Sequence, residues 1–174
     1  MREETARKAK ALELSPPEKL NALHITDDFD CGEASINEYL RAKALKAQQA
    51  KHAMVYVVCF KGTHNIAGYY TLSNGAVDRR HGTTAKMRRN APDPLPVTIL
   101  GRMGVSLRAG GCGLSLALLA DAIERCIVAS EIIGSVAVIV HPLNESLVTY
   151  YARHAGFVPC PELSPMTMML SLMQ

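Results

Sequence analysis

Val97-Thr98-Ile99-Leu100-Gly101-Arg102-Met103-Gly104-Val105, then Gly110-Gly111-Cys112-Gly113, then Leu114–Ser130, is the stretch that decides how this 174-residue chain folds. The first nine residues read as one long strand. The glycines make a tight loop. From Leu114 the apolar positions take helical spacing, which predicts Leu116, Leu119, Ile123 and Ile127 on one face. A helix start leaves backbone N–H groups unpaired and carries a partial positive charge. Glycines let an anion approach those amides closely. The loop Arg108–Ser115 is therefore a candidate pyrophosphate cradle. It is no P-loop, because no Gly-Lys-Ser/Thr follows. Nor is it the dinucleotide fingerprint, which expects a parallel βαβ unit and an acidic residue about twenty positions on. Taken alone, the glycine run is also explained by a plain left-handed turn.

Working outward, residues 33–50 (EASINEYLRAKALKAQQA) predict a helix with Ile36 and Leu40 on its apolar face and Tyr39 and Leu45 near it. Met54–Phe60 is a buried strand, Lys61–Asn65 a turn, and Ile66–Ser73 the returning strand of a hairpin. Residues 74–96 read as loop, with Gly75, Gly82, Pro92, Pro94 and Pro96. Downstream, Val136–Val140 is a short apolar strand, and Glu145–His154 a helix ending near Gly156 as its C-cap glycine. Phe157-Val158 and Met166–Leu172 finish as strand-like pieces. The order helix, hairpin, strand, helix, strand, helix, strand is that of a mixed α/β domain. Residues 1–13 form a polar arm ahead of the breaker Leu14-Ser15-Pro16-Pro17, and residues 14–174 a single domain.

Composition narrows the function. With 48% hydrophobic and 20% charged residues the chain is globular, not disordered. No apolar run approaches the roughly 18 residues of a membrane span, and MREETARKAK has no apolar signal segment, so a cytoplasmic protein is expected. Cys31, Cys59, Cys112, Cys126 and Cys160 are widely spaced, which favours reduced core thiols over a metal site or disulfides. The six histidines show no ligand pairing in sequence, so no metal is expected. A net charge of +3 does not announce a nucleic-acid protein. Its distribution is more informative, for Arg79, Arg80, Lys86, Arg88 and Arg89 lie within eleven residues with no acid between them. Such a loop attracts phosphate, or is simply a solvated face. Tyr150-Tyr151 lies on the last helix, where a phenol can serve as general acid or as a core aromatic with a hydrogen-bonded tip.

Read together, these stretches resemble the GNAT family of N-acetyltransferases, from about Leu20 to Leu172, and within it the TacT-like toxins of type II toxin–antitoxin modules. The resemblance rests on Asp28-Phe29-Asp30-Cys31-Gly32-Glu33, Ile66–Ser73, Pro94–Val105, Gly111-Cys112-Gly113-Leu114, Tyr150–Phe157 and Pro165–Leu172. It implies the GNAT acyl-CoA N-acyltransferase fold, a mixed central sheet flanked by helices, and acetyl-CoA as cosubstrate. Backbone groups of Met103, Gly104 and Val105 would pair with the pantetheine arm. Arg108, Gly110, Gly111, Cys112, Gly113, Leu114 and Ser115 would hold the pyrophosphate, and Asn144 would touch the cofactor. Tyr151 would protonate the leaving CoA thiolate, and the Met103 or Val105 N–H would stabilise the oxyanion. The resemblance also implies acetylation of the α-amino group of aminoacyl-tRNA, with Arg79–Arg89 contacting tRNA, a ribbon–helix–helix antitoxin as partner, and a homodimer. The family's phosphate loop usually reads Gln/Arg-x-x-Gly-x-Gly/Ala; here the same register gives Gly110-Gly111-Cys112-Gly113-Leu114-Ser115, and Ser106 stands where the toxins commonly have Asp. Two alternatives therefore stay open: a GNAT enzyme acting on a protein or small-molecule amine, and a weakened one serving mainly as an antitoxin-binding module.

Overall fold

Residues 13–173 are described by a computed structural model; the arm expected over residues 1–13 lies outside them apart from Glu13, whose carboxylate pairs with Lys61 at 3.0 Å. In chain order the elements are β1 (Glu18–Lys19), α1 (Ala34–Ala42), α2 (Ala44–Gln49), β2 (Met54–Cys59), β3 (Ile66–Val77), α3 (Ala85–Arg88), β4 (Leu95–Val105), α4 (Leu114–Ile133), β5 (Ala137–Val140), α5 (Glu145–Ala155), β6 (Val158–Pro159) and β7 (Met168–Ser171). The strands form one mixed, mostly antiparallel sheet in the order β1-β2-β3-β4-β5-β7-β6. The chain gathers into two compact units, one ending at Leu72 and resuming over Arg102–Asp121, the other holding Ser73–Gly101 and Ala122 onward.

In the first unit the hairpin pairs as expected, Met54↔Leu72 through Val57↔Tyr69, and buries Val55 and Val57 completely. Leu20, Phe29, Ile36, Leu40 and Tyr69 close the core around them. The helix expected over residues 33–50 is broken at Lys43, where φ is −126° and ψ −31°. No glycine or proline stands there, and the Lys43 N–H still donates to the Tyr39 carbonyl at 2.9 Å. Beyond it the Gln48 amide ties α2 down, donating to the Leu20 carbonyl at 2.6 Å and accepting from the Val55 N–H at 2.9 Å.

Two glycines let helices close on the strands. A Cβ on Gly68 would stand 2.9 Å from Leu118 of α4, and one on Gly104 would stand 2.7 Å from Ile36 of α1. Both are shorter than real Cβ contacts, so a side chain at either place would force Leu118 or Ile36 to shift. The buried stripe of α4 is Leu114, Leu118, Ala122 and Cys126 with Leu119, while Leu116 (45% exposed) and Ile127 (43%) face out. The buried face is rotated from the expected one because this helix is apolar nearly all round, which leaves its periodicity ambiguous.

In the second unit β5 is buried along its whole length. It pairs parallel with β4 from Val97↔Ala137 to Leu100↔Val140 and antiparallel with β7. A strand paired on both sides and covered on both faces reads as a continuous apolar run. Residues 74–96 are more ordered than a loop: β3 continues to Val77, and α3 is anchored by Met87, 1% exposed, and capped by Thr84 Oγ1 accepting from the Met87 N–H. Gly75 is no turn. It sits inside β3 because a Cβ there would meet Ile99 at 2.6 Å.

Candidate active site

The chemistry starts with the direction of backbone amides on β4. The Arg102 N–H donates to Thr71 Oγ1 (3.0 Å) and the Ser106 N–H to the Ala67 carbonyl (2.8 Å), so at this end of β4 the amides of Arg102 and Ser106 face β3. Alternation along a strand turns the amides of Met103 and Val105 the opposite way. On that side the ladder with β5 ends at Leu100↔Val140, whereas β4 runs on to Val105. Backbone groups past the end of a ladder need another partner, and an extended ligand arm supplies one.

Val105 leads into Ser106, which is buried and caps the short 3-10 turn Leu107–Ala109 by accepting from the Arg108 N–H at 3.3 Å. The loop then bends through two left-handed glycines, Gly111 (φ +76°) and Gly113 (φ +80°), with open space where a Cβ would be on either. The Cys112 thiol donates to the Ala109 carbonyl at 2.9 Å, which turns it back into the loop. The Gly113 carbonyl accepts from the Ala117 N–H, making Gly113 the N-cap of α4. A glycine N-cap brings no side-chain oxygen to the first-turn amides, unlike Ser, Thr or Asp. The loop thus enters α4 through two left-handed glycines, without the long polar residue that opens the family's loop. Arg108 does not point into it: its guanidinium lies over the Phe60 ring, 4.9 Å from the centroid.

The second unit holds the other two predicted residues on α5. Asn144 is the N-cap, its Oδ1 accepting from the Leu147 N–H (3.0 Å) and the Ser146 hydroxyl (2.8 Å), so only its Nδ2 remains for a ligand. Gly156 ends the helix at φ +76°, as its position predicts. Tyr151 is 8% exposed, edge-to-face with Tyr150 and Phe157, and its hydroxyl has no hydrogen-bond partner among the described residues. Burial, with Tyr150 adding to it, pushes the phenol up to about 12. It therefore keeps its proton throughout the physiological range, as a general acid must.

The basic run is less uniform than its sequence suggests. Arg79 donates to the Ala91 carbonyl, Arg88 to the Gly82 carbonyl, and Arg80 pairs with Asp78 at 3.5 Å. Lys86 and Arg89 are exposed and have no side-chain partner among the described residues. Their neighbours hold the loop together, and these two are left for an external anion. Arg80, His81 and Thr83 also line a cleft of about 300 Å³ with Val158–Glu162.

One grouping was not legible as a pattern: Glu18, His24 and Cys59, whose ligand atoms lie within 4.8 Å of one another. Both His24 ring nitrogens are engaged, Nδ1 with the Asn21 N–H at 3.0 Å and Nε2 with Glu18 at 2.8 Å. Accepting at Nδ1 places the proton on Nε2, so the ring offers no free lone pair to a metal. The trio reads as a hydrogen-bonded clasp of β1. His141, at the end of β5, is likewise engaged, with the Thr167 hydroxyl at 3.1 Å.

No family model matches the chain. It is 35% identical over 151 residues, 87% of its length and 86% of the relative's, to a tRNA-acetylating toxin of Mycobacterium tuberculosis (strain ATCC 25618 / H37Rv). Among solved structures it is similar to AtaT complexed with acetyl-methionyl-tRNAfMet, at 26% identity and a TM-score of 0.83, covering 91% of this chain and 95% of that one. It is also similar to a tyrosine-to-phenylalanine variant of AtaT bound to the C-terminus of the antitoxin AtaR and acetyl-CoA, at 25% identity, a TM-score of 0.77, and 91% and 93% coverage. An open β4 edge running into a glycine-capped helix, a buried phenol on α5, and a relative of this identity over nearly the whole length lead to one family: the chain belongs to the tRNA-acetylating toxins of the GNAT fold.

Proposed function

We propose that this protein is an acetyl-CoA-dependent N-acetyltransferase that acetylates the α-amino group of aminoacyl-tRNA and so blocks translation, since an acetylated amine cannot accept a peptide. The observation that carries the reading is the pair of Met103 and Val105 amides, turned toward the side of β4 that β5 has left, on the strand that runs into the Gly110–Ser115 loop. Acetyl-CoA has been seen bound to AtaT, and the β4 amides beyond the β5 ladder and the glycine-capped start of α4 support the same cosubstrate here. Met103, Gly104 and Val105 would pair with the pantetheine arm, Gly110–Ser115 would receive the pyrophosphate, and Asn144 would contribute its Nδ2.

The acceptor needs little help. An α-amine has a pKa of about 7.7–8.0, so an appreciable fraction is neutral near pH 7. As it attacks, the Met103 or Val105 N–H stabilises the oxygen on which negative charge develops. The Tyr151 phenol, protonated and without a competing acceptor, donates to the sulfur as the carbon–sulfur bond breaks. A phenol near 12 surrenders its proton only to a strong base, so the transfer belongs to the moment at which the thiolate forms.

The basic run would contact the RNA, with Lys86 and Arg89 as the free cations. A ribbon–helix–helix antitoxin is the proposed protein partner, in keeping with AtaT bound to the AtaR C-terminus, and the working form would be a homodimer. No described helix is long and apolar enough to cross a membrane, and the proposed place of action is the cytoplasm, where charged tRNA is found. The test is transfer of labelled acetyl from acetyl-CoA to a charged-tRNA pool, with a polyamine and peptide panel alongside. Tyr151→Phe should lose about 10²–10⁴ in rate while still binding acetyl-CoA. Acetylation of the amine panel but not of tRNA would overturn the reading, and a fully active Tyr151→Phe would remove Tyr151 from the mechanism.

A further inference from the structure

Among the described residues Arg102 is the one partly buried arginine whose guanidinium makes neither a hydrogen bond nor an ion pair. It is not loose. Its Cζ sits 4.3 Å from the centroid of the Tyr39 ring on α1, and its charge is felt by the buried Tyr69 hydroxyl, which donates to the Ile36 carbonyl. Its own amide is fixed by Thr71. The other arginines behave differently: Arg41 and Arg88 donate to backbone carbonyls, and Arg108 lies exposed over Phe60. A guanidinium carries five donors, and here they are neither sealed from solvent nor taken by a protein acceptor, so they stand open to a ligand. Its place on the strand says what that ligand is attached to. Arg102 precedes Met103, whose amide faces the open edge, and its side chain projects on the α1 face, as the Tyr39 contact and the packing of Gly104 against Ile36 show.

We propose that Arg102, held by Tyr39, binds the last phosphodiester of the RNA acceptor strand, the one joining the terminal aminoacylated nucleoside to its neighbour. This rests on the reading that the acceptor is aminoacyl-tRNA. A planar guanidinium immobilised on an aromatic face presents its fork to two phosphate oxygens at once, which a lysine cannot reproduce. Tyr39 limits the motion of the arginine, so less conformational freedom is lost when the phosphate arrives. One charge thus fixes the end of a long substrate.

The experiment compares two acceptors carrying the same amino acid, charged tRNA and the 3′-aminoacyl-adenosine that has no phosphate, in the full-length protein and its Arg102→Gln, Arg102→Lys and Tyr39→Leu variants. Arg102→Gln should raise KM for charged tRNA by about tenfold to a hundredfold, the range for losing a charge-assisted bidentate contact, with kcat within about threefold. The same variant should leave the rate on aminoacyl-adenosine and the calorimetric affinity for acetyl-CoA unchanged. Arg102→Lys should fall between, and Tyr39→Leu should reproduce part of the KM effect. Thermal unfolding checks that the variants fold, and the lysine variant carries the test if the glutamine one does not. Equal losses on both acceptors, or no loss on either, would overturn the assignment. If the unmodified protein acetylates neither acceptor, the aminoacyl-tRNA reading itself falls, and this inference with it.

Discussion

Replacing Gly113 with Ala tests the anion cradle against a control built into the same helix. Gly113 stands at φ +80° at the start of α4, with nothing within 4 Å of the place an added methyl would take; Gly134 stands at φ +80° just past its end, also with nothing within 4 Å. The two substitutions therefore share one cost and no clash. A left-handed conformation costs a non-glycine residue about 1–2 kcal/mol. For a chain of this size that lowers Tm by about 2–4 °C per kcal/mol, or about 2–8 °C for either variant. Either variant relieves that cost by rotating toward right-handed values, and only at Gly113 would the rotation turn the first-turn amides of α4 away from a bound pyrophosphate. Losing one hydrogen bond to a charged group, about 1.5–3 kcal/mol, weakens acetyl-CoA binding by about tenfold to a hundredfold. Calorimetric titration with acetyl-CoA and thermal unfolding should show matched Tm losses and a Kd change confined to Gly113→Ala, partly recovered in Gly113→Asn, since asparagine tolerates the left-handed region. Equal affinities in Gly113→Ala and Gly134→Ala would refute the cradle.

The pH dependence of kcat/KM on charged tRNA should rise through the α-amine pKa of about 8 and stay flat past pH 10, because burial holds the Tyr151 proton up to about 12; a fall beginning near pH 9 would place the phenol at its ordinary value. Replacing Lys86 and Arg89 together with Gln should reduce the salt dependence of tRNA binding by a log–log slope of about 1–2 and leave Tm unchanged, whereas replacing Arg79 and Arg88, which brace Ala91 and Gly82, should lower Tm. Met87→Ala should cost about 2–5 kcal/mol in urea unfolding, because its side chain is the buried anchor of α3.

Much of this was legible in sequence because local signals agreed with tertiary demands. The β4–loop–α4 stretch, the apolar β5 run and the Gly156 cap all emerge within two or three residues of their expected positions. What stayed hidden was set by contacts distant in the chain. Nothing in an Ala/Lys/Gln segment announces the break at Lys43, or that Gln48 reaches Leu20 and Val55. β1 is two residues long and is ordered by its pairing with β2 and by His24 bonding to Glu18. The extension of β3 past Asn74 and Gly75 contradicts local turn propensity; the glycine is required by Ile99. At the site, the glycine loop and Tyr151 could be picked out in advance, but the occupied oxygen of Asn144 and the aim of Arg108 could not, since each turns on where one side chain points. Arg102 left a faint signal, a lone charge in a strand of otherwise uncharged residues, and its meaning emerges only with the Tyr39 ring beside it.

Past Gly101, β4 sorts its work by parity. Met103 and Val105 turn their amides to the open edge, whereas Arg102 and Ser106 send theirs to β3 and the Arg102 side chain goes to Tyr39. Deleting a single residue upstream, between Leu95 and Gly101, would exchange these roles at a stroke, since a one-residue slip moves every side chain to the opposite face. The number of residues in β4 therefore matters more to the site than the identity of most of its side chains, and a frame-preserving deletion here should disarm the protein.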